Sequence, residues 1–345
     1  MRINWRKLLT GLVLVSVLVL FLIWREIVAA VAVPQDLSDR TLIIPRDATF
    51  EMVVDSLKTK SCIPRKELFV NLANYMKYPR KPMRSGKFEL TPGMTYIELI
   101  RHLRSGSQAP SKVILTNERL PEDIAGKVAR YLEADSLQFL ETMRNPATLS
   151  ALGLTSESLT SLFIPNTYEL YWNTSPEDFL KRMKKEQDKF WSAEERQQKA
   201  DKLGLDRNQV YTLASIVEKE TLRSDEKKRM AGVYLNRLKI GMLLQADPTA
   251  VFATRDFDTP RVTDYHTQFD SPYNTYKYPG LPPGPIAMAS ISSIDAVLNA
   301  EDHDYLFFCA VGDGSGYHAF AKTLSQHNQN AARYRANLRK RGLRR

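Results

Sequence analysis

Leu8 to Trp24 forms an uncharged run of 17 residues, LLTGLVLVSVLVLFLIW, and this stretch limits what the chain can be more than any other. Coiled as a helix at about 1.5 Å per residue and extended by its flanks, it approaches the roughly 30 Å thickness of a hydrocarbon layer. Arg2, Arg6 and Lys7 precede it with no acid among them, and a basic flank marks the side that stays in the cytoplasm. The reading taken is a cytoplasmic N-terminus over residues 1–7, a transmembrane anchor over 8–28 and an exported body beyond. Ala30-Val31-Ala32 offers a small-residue cleavage site, so a removed signal peptide is the alternative, although the run is longer than a usual signal core. In both cases the body lies outside the cytoplasm, away from ATP- and NAD-dependent chemistry.

A formal net charge of +10 would suit a nucleic-acid binder if it formed a stripe on the folded surface. It does not. Residues 1–7 hold three basic side chains and residues 333–345 hold seven, with no acid in either segment, so the body between them is balanced and no nucleic-acid partner is expected. The basic tail, 333–345, reads either as a solvated helix end or as an attachment to an anionic envelope component. Cys62 and Cys309 are the two cysteines. An oxidising compartment permits a bridge, but Cys309 lies in the apolar run Tyr305–Val311, where a thiol also serves as a small hydrophobe; spacing leaves their pairing open.

After a short linker the pattern alternates between strand and helix. Thr41–Pro45 reads as a strand, Phe50–Leu57 and Arg65–Lys77 as amphipathic helices, Lys87–Leu90 as a second strand and Tyr96–Arg104 as a helix closed by Gly106. This βααβ order resembles LysM carbohydrate-binding modules, and a LysM-like domain is placed over 40–107. Beyond a strand at Ser111–Thr116 the chain becomes mostly helical. Leu120-Pro-Glu-Asp and Ser175-Pro-Glu-Asp open helices with proline and acids in the first turn, as helix starts prefer. Residues 207–243 read as two successive helices. Residues 247–286 then contain seven of the 18 prolines, which precludes continuous helix and predicts a long structured loop region. A helix near Ser293–Ala300, a strand at 305–311 and a terminal helix from about Ser325 complete the body. The fold class is therefore α+β: an N-terminal transmembrane helix, a small βααβ domain, and a larger mostly helical catalytic domain over 108–332 with a loop-rich, β-containing part.

Chemistry concentrates in Leu213-Ala-Ser-Ile-Val-Glu-Lys-Glu220. At about 100° per residue, Val210, Leu213, Ile216, Val217 and Glu220 share one helical face, and Glu218 falls on the solvent side or flank. A carboxyl among apolar neighbours is harder to ionise, which suits a general acid near neutral pH. The alternative is a buried structural glutamate paired with an arginine such as Arg237.

Several further motifs are co-linear with this one: Leu235-Asn-Arg-Leu238 with Gly241-Met242, Leu244-Gln-Ala-Asp-Pro-Thr249, Ser271-Pro-Tyr-Asn-Thr-Tyr276, Gly280-Leu-Pro-Pro-Gly-Pro-Ile286, and Tyr317-His-Ala-Phe320 with His327-Asn328. Together they cover most of residues 205–330 and resemble the MltG (YceG-like) family of membrane-anchored endolytic murein transglycosylases. Phe163-Ile-Pro-Asn-Thr-Tyr168 resembles the family's Phe-Pro-Asp-Thr-Tyr element with an added Ile164 and with Asn166 in place of aspartate. Ala287-Met-Ala-Ser290 stands where the family more often has Asn-Pro-Gly. The resemblance implies that Glu220 is catalytic and that the enzyme cleaves the β-1,4 bond between N-acetylmuramic acid and N-acetylglucosamine in nascent glycan, leaves a 1,6-anhydro end and terminates elongation. It also implies an inner-membrane location with a periplasmic catalytic domain, peptidoglycan strands as substrate and peptidoglycan synthases as partners.

Other residue types fit sugar binding. Gln245 and Asp247 precede Pro248 and can hydrogen-bond hydroxyl or N-acetyl groups, or start a turn. Tyr273, Asn274 and Tyr276 offer aromatic faces and an amide, His318 can orient the acid, and Glu218 can support its neighbour. His303, His318 and His327 lack zinc-type spacing, and Gly312-Asp-Gly-Ser-Gly316 lacks the Lys-Ser/Thr ending of a phosphate loop, so neither metal nor cofactor is expected. Two rival readings are a catalytically inactive glycan-binding scaffold and a hydrolytic muramidase.

Overall fold

The computed structural model describes residues 5–343; Arg2, Arg344 and Arg345, counted above among the basic ends, lie outside them. The fold is mixed helix and sheet, and the chain divides into two compact units. One contains residues up to Lys112 together with Glu169–Thr174, the other Val113–Tyr168 together with residues from Ser175 onward.

The first unit begins with α1 (Trp5–Ala29). Its segment Leu9–Ala29, with a mean hydropathy of 2.4, is long and apolar enough to cross a membrane, and none of it is buried in the protein. There follow β1 (Thr41–Ile44), α2 (Phe50–Thr59), α3 (Lys66–Tyr75), β2 (Gly86–Glu89), α4 (Tyr96–Ser105) and β3 (Pro110–Leu115). The strand–helix–helix–strand order read from the sequence is present, with β1 antiparallel to β2 and Leu42 opposite Phe88. Leu42, Ile44 and Phe88 point into a core shared with Val53 and Leu57 of α2, Phe69 of α3 and Leu99 and Leu103 of α4. Thr95 and Glu98 form a reciprocal cap at the start of α4, and Gly106, at φ 74°, ends it in the left-handed conformation glycine adopts freely.

The second unit holds α5 (Pro121–Val128), α6 (Ser136–Arg144), α7 (Pro146–Ala151), a 3₁₀ turn (Leu159–Leu162), the first half of β4 (Asn166–Tyr171) and α8 (Pro176–Ser192). It continues with α9 (Arg196–Leu203), α10 (Arg207–Glu220), α11 (Lys227–Lys239), α12 (Asp247–Thr254), α13 (Asp264–Gln268), α14 (Ile291–Leu298), the antiparallel pair β5 (Phe307–Ala310) and β6 (His318–Ala321), and α15 (Leu324–Lys340). The proline-rich stretch is less irregular than expected. Pro248 occupies the first turn of α12, where its missing N–H breaks no helical hydrogen bond. Residues 333–340, expected as a separate basic tail, continue α15. Cys62 and Cys309 are both free thiols.

Helix α10 is the centre of this unit. Every residue from Val210 to Val217 is buried, so the helix has no solvent face in its middle. Two of its buried polar side chains bind the segments around it: the Tyr211 hydroxyl donates to the Phe163 carbonyl at 2.6 Å and accepts from Ala289 N–H at 3.1 Å, and Ser215 Oγ accepts from Ile286 N–H at 3.0 Å. Thus the Phe163–Tyr168 element and the segment 286–290 both serve to hold α10. Gly284 is required within this covering loop, because a Cβ there would come within 2.0 Å of the Glu157 carbonyl oxygen.

Candidate active site

Glu220 closes α10 and lines a cleft of about 530 Å³. Its carboxyl sits deep in the unit and opens to that cleft. The Tyr234 hydroxyl, buried on α11, donates to Glu220 Oε1 at 2.5 Å. Burial raises the Glu220 pKa to about 7; the Tyr234 hydrogen bond opposes this, Asp247 reinforces it and Arg237 opposes it. The carboxyl therefore holds its proton to near-neutral pH, as a general acid must. Arg237 is not its ion-pair partner. Its guanidinium donates to the carbonyls of Leu306, Leu243 and Leu244 at 2.6, 3.3 and 2.7 Å, so the alternative of an arginine-neutralised structural glutamate lacks its salt bridge.

Glu218 has a different environment: of the two places expected, solvent or flank, it takes a covered flank. Its side chain is 15% exposed. Lys227 Nζ donates to Oε2 at 2.9 Å, and the hydroxyls of Ser290 and Ser293 donate to the same oxygen. Burial pushes this carboxyl up, but the two serines and Lys227 outweigh it and hold its pKa below the ordinary value. Glu218 is thus a carboxylate clamp joining α10, α11 and the start of α14. The flank of α10 that looked polar is covered by residues some seventy positions later.

The other candidates divide cleanly. Thr275 fixes the approach to α12: its carbonyl accepts from Gln245 N–H at 3.1 Å and its Oγ1 from Ala246 N–H at 3.0 Å. That pinning brings Tyr276 to Asp247, whose carboxylate accepts from the tyrosine hydroxyl. Gln245, Asp247 and Tyr276 all line the cleft with Glu220. Gln245 does so from a left-handed backbone, φ 50°, a conformation that costs a non-glycine residue about 1 kcal/mol. His318, on β6, lines it from the opposite wall. Its Nδ1–H donates to Glu226 Oε2 at 2.9 Å while its backbone N–H donates to Glu226 Oε1 at 2.9 Å, which fixes the ring.

Asn274 and Tyr273 do not face the cleft. Asn274 is fully buried, and its amide donates to the carbonyls of His266, Thr267 and Phe269, so it staples the loop and has no donor left for a sugar. Tyr273 packs on Phe252 with ring centroids 4.8 Å apart. Conversely, the cleft includes residues that the sequence reading did not single out as site residues: Tyr234, His327, Tyr334 and Arg335. Two of them carried a usable signal: Met230, Tyr234 and Arg237 recur at helical spacing on one face of α11, and His327 belongs to the His327-Asn328 motif.

A second cavity, of about 240 Å³, shares Glu220 and Asp247 with the first and is otherwise lined by Arg119, Lys219, Val251, Phe252, Phe257, Ile286 and their neighbours. The two carboxyls therefore border both recesses.

The chain is similar to several known proteins. The sequence model of the YceG-like family matches residues 42–333. The chain is 29% identical over 308 residues to an endolytic murein transglycosylase from Bacillus subtilis (strain 168), covering 84% of this chain and 83% of that protein. It is 26% identical over 325 residues to an endolytic murein transglycosylase from Streptococcus pneumoniae, covering 85% of this chain and 58% of that protein. Among solved structures, a YceG-like protein from Listeria monocytogenes superimposes with a TM-score of 0.56 at 28% identity, covering 84% of this chain and 97% of that one.

Proposed function

This chain belongs to the YceG-like family, and from that premise we propose that it is an endolytic lytic transglycosylase of peptidoglycan. It cleaves the β-1,4 bond between N-acetylmuramic acid and N-acetylglucosamine in nascent strands and leaves a 1,6-anhydro-muramic end, so terminating elongation. The observation that carries this reading is Glu220, a carboxyl kept protonated to about pH 7 and held by Tyr234 between two recesses. Protonated Glu220 donates to the glycosidic oxygen as the C1–O4 bond breaks. The resulting carboxylate takes the proton from the muramic acid 6-hydroxyl, whose oxygen closes on C1. The proton moves in sum from O6 to O4, and no water enters.

Asp247 favours a second reading. It lines both recesses with Glu220, and two carboxyls flanking one bond are the equipment of a hydrolytic muramidase. Mass spectrometry of the cut strands separates the two: an anhydro end is one water lighter than a hydrolysed reducing end. A catalytically inactive scaffold would give neither. The family resemblance and the apolar helix further support an inner-membrane anchor with the catalytic unit in the periplasm, a LysM-like role for the first unit in positioning glycan, and work beside peptidoglycan synthases. The domain limits proposed for these roles are 40–107 and 108–332.

A further inference from the structure

The second cavity contains two cations without a direct ion-pair partner among the described residues, beside the carboxyls of Glu220 and Asp247. Arg119 lies half-buried in the segment before α5, with its guanidinium 4.7 Å from the Phe257 ring centroid. Lys219, also half-buried, sits between the two glutamates of α10. Among the described residues neither forms an ion pair, although both line the recess beside Glu220 and Asp247. The other buried cations of this unit behave differently: Lys227 is clamped by Glu218, Arg196 by Asp295, and Arg237 by three carbonyls. Lys219 gains some compensation from the C-terminal end of its helix, but Arg119 has no such role. Burial and the neighbouring Arg119 push the Lys219 ammonium below its ordinary pKa, against the attraction of Glu218 and Glu118. Held together beside Phe252, Phe257 and Ile286, Arg119 and Lys219 keep donors open to an anion.

We propose that this recess is a carboxylate subsite, in which Arg119 and Lys219 bind a free carboxylate of the peptide stem borne by the muramic acid residue beside the scissile bond. The proposal rests on the reading of the site as glycan-cleaving. The sugars of such a strand are uncharged, so in its interior the stem carboxylates are the anions on offer; a diphosphate occurs only at the lipid-linked end, which an endolytic cut need not approach. The apolar wall suits the N-acetyl and lactyl groups that accompany the stem. The enzyme thereby selects strands whose stem carboxylates are free over strands in which they are blocked.

The test uses the full chain in detergent and two strand preparations, both freed of terminal diphosphate and both carrying peptide stems: one with the stem carboxylates free and one with them blocked as methyl amides. Anhydro ends are counted by mass spectrometry. Wild type should show a kcat/KM about tenfold or more higher on the strands with free stem carboxylates. Arg119→Gln and Lys219→Met, matched to wild type in thermal melting, should each reduce that ratio, and Arg119→Lys should recover part of it. Equal rates of wild type on both strands would overturn the subsite, as would variants that slow both substrates by one common factor. Wild type that makes no anhydro end from either strand would overturn the reading of the site itself, and the subsite with it.

Discussion

Glu220→Gln tests the site through stability as well as through rate. Raising a carboxyl pKa from 4.5 to about 7 at about 1.4 kcal/mol per pH unit makes its ionisation about 3 kcal/mol harder in the folded protein than in the unfolded chain. Below about pH 4.5 both states hold the proton and the group contributes nothing. Between about pH 4.5 and 7 the unfolded chain releases its proton first, so stability falls as pH rises; above about pH 7 the full penalty applies. Glutamine keeps the volume and still accepts the Tyr234 hydrogen bond, but it has no proton to lose. The variant should therefore match wild type near pH 4 and exceed it by about 3 kcal/mol at pH 8, while anhydro-product formation falls by about two orders of magnitude or more. Urea unfolding at both pH values, followed through Trp191 in the core of this unit, measures the difference. A variant equal to or weaker than wild type at pH 8 would refute the claim that burial holds this carboxyl protonated.

Glu218→Gln removes the charge that neutralises Lys227, whose side chain is 9% exposed, and should cost roughly 2–3 kcal/mol at neutral pH. Because the Glu218 pKa is lowered on folding, this contribution is present above its unfolded pKa and is lost as pH falls through the folded value, so variant and wild type should converge in acid; activity should fall far less than for Glu220→Gln, and the reverse ranking in an anhydro-end assay would undo both assignments. Tyr234→Phe removes a hydrogen bond that lowers the Glu220 pKa, so the alkaline limb of the kcat/KM profile should move to higher pH; a limb that stays in place would show that the hydroxyl does not set this ionisation. Gly284→Ala should destabilise the catalytic unit by roughly 1–3 kcal/mol, because the added carbon meets a backbone oxygen at 2.0 Å, and an unchanged melting temperature would contradict the close approach.

How far such a site can be read from sequence depends on whether the deciding contacts are local. Glu220 was legible because a helix's own periodicity places it beside Val217 and Ile216, and those neighbours are buried in the fold. The Gly106 end of α4 and the proline-led starts of α5 and α8 were legible for the same reason, since each is completed within one turn. Glu218 defeats that logic. Its position relative to Glu220 on α10 was read correctly, but a helical wheel says nothing about what covers the far side, and Ser290 and Ser293 arrive there from α14. Asn274 fails in another way: an amide in a tyrosine-rich loop looks like a sugar ligand, yet its donors are claimed by three carbonyls of its own loop. Residue type gives the capacity for a hydrogen bond, and only the fold decides whether that capacity remains open. The same distinction separates the cations. Lys227, Arg237 and Lys219 look alike along the chain. Two of them are closed by partners, and the third lines the smaller recess beside the acid without an ion pair among the described residues.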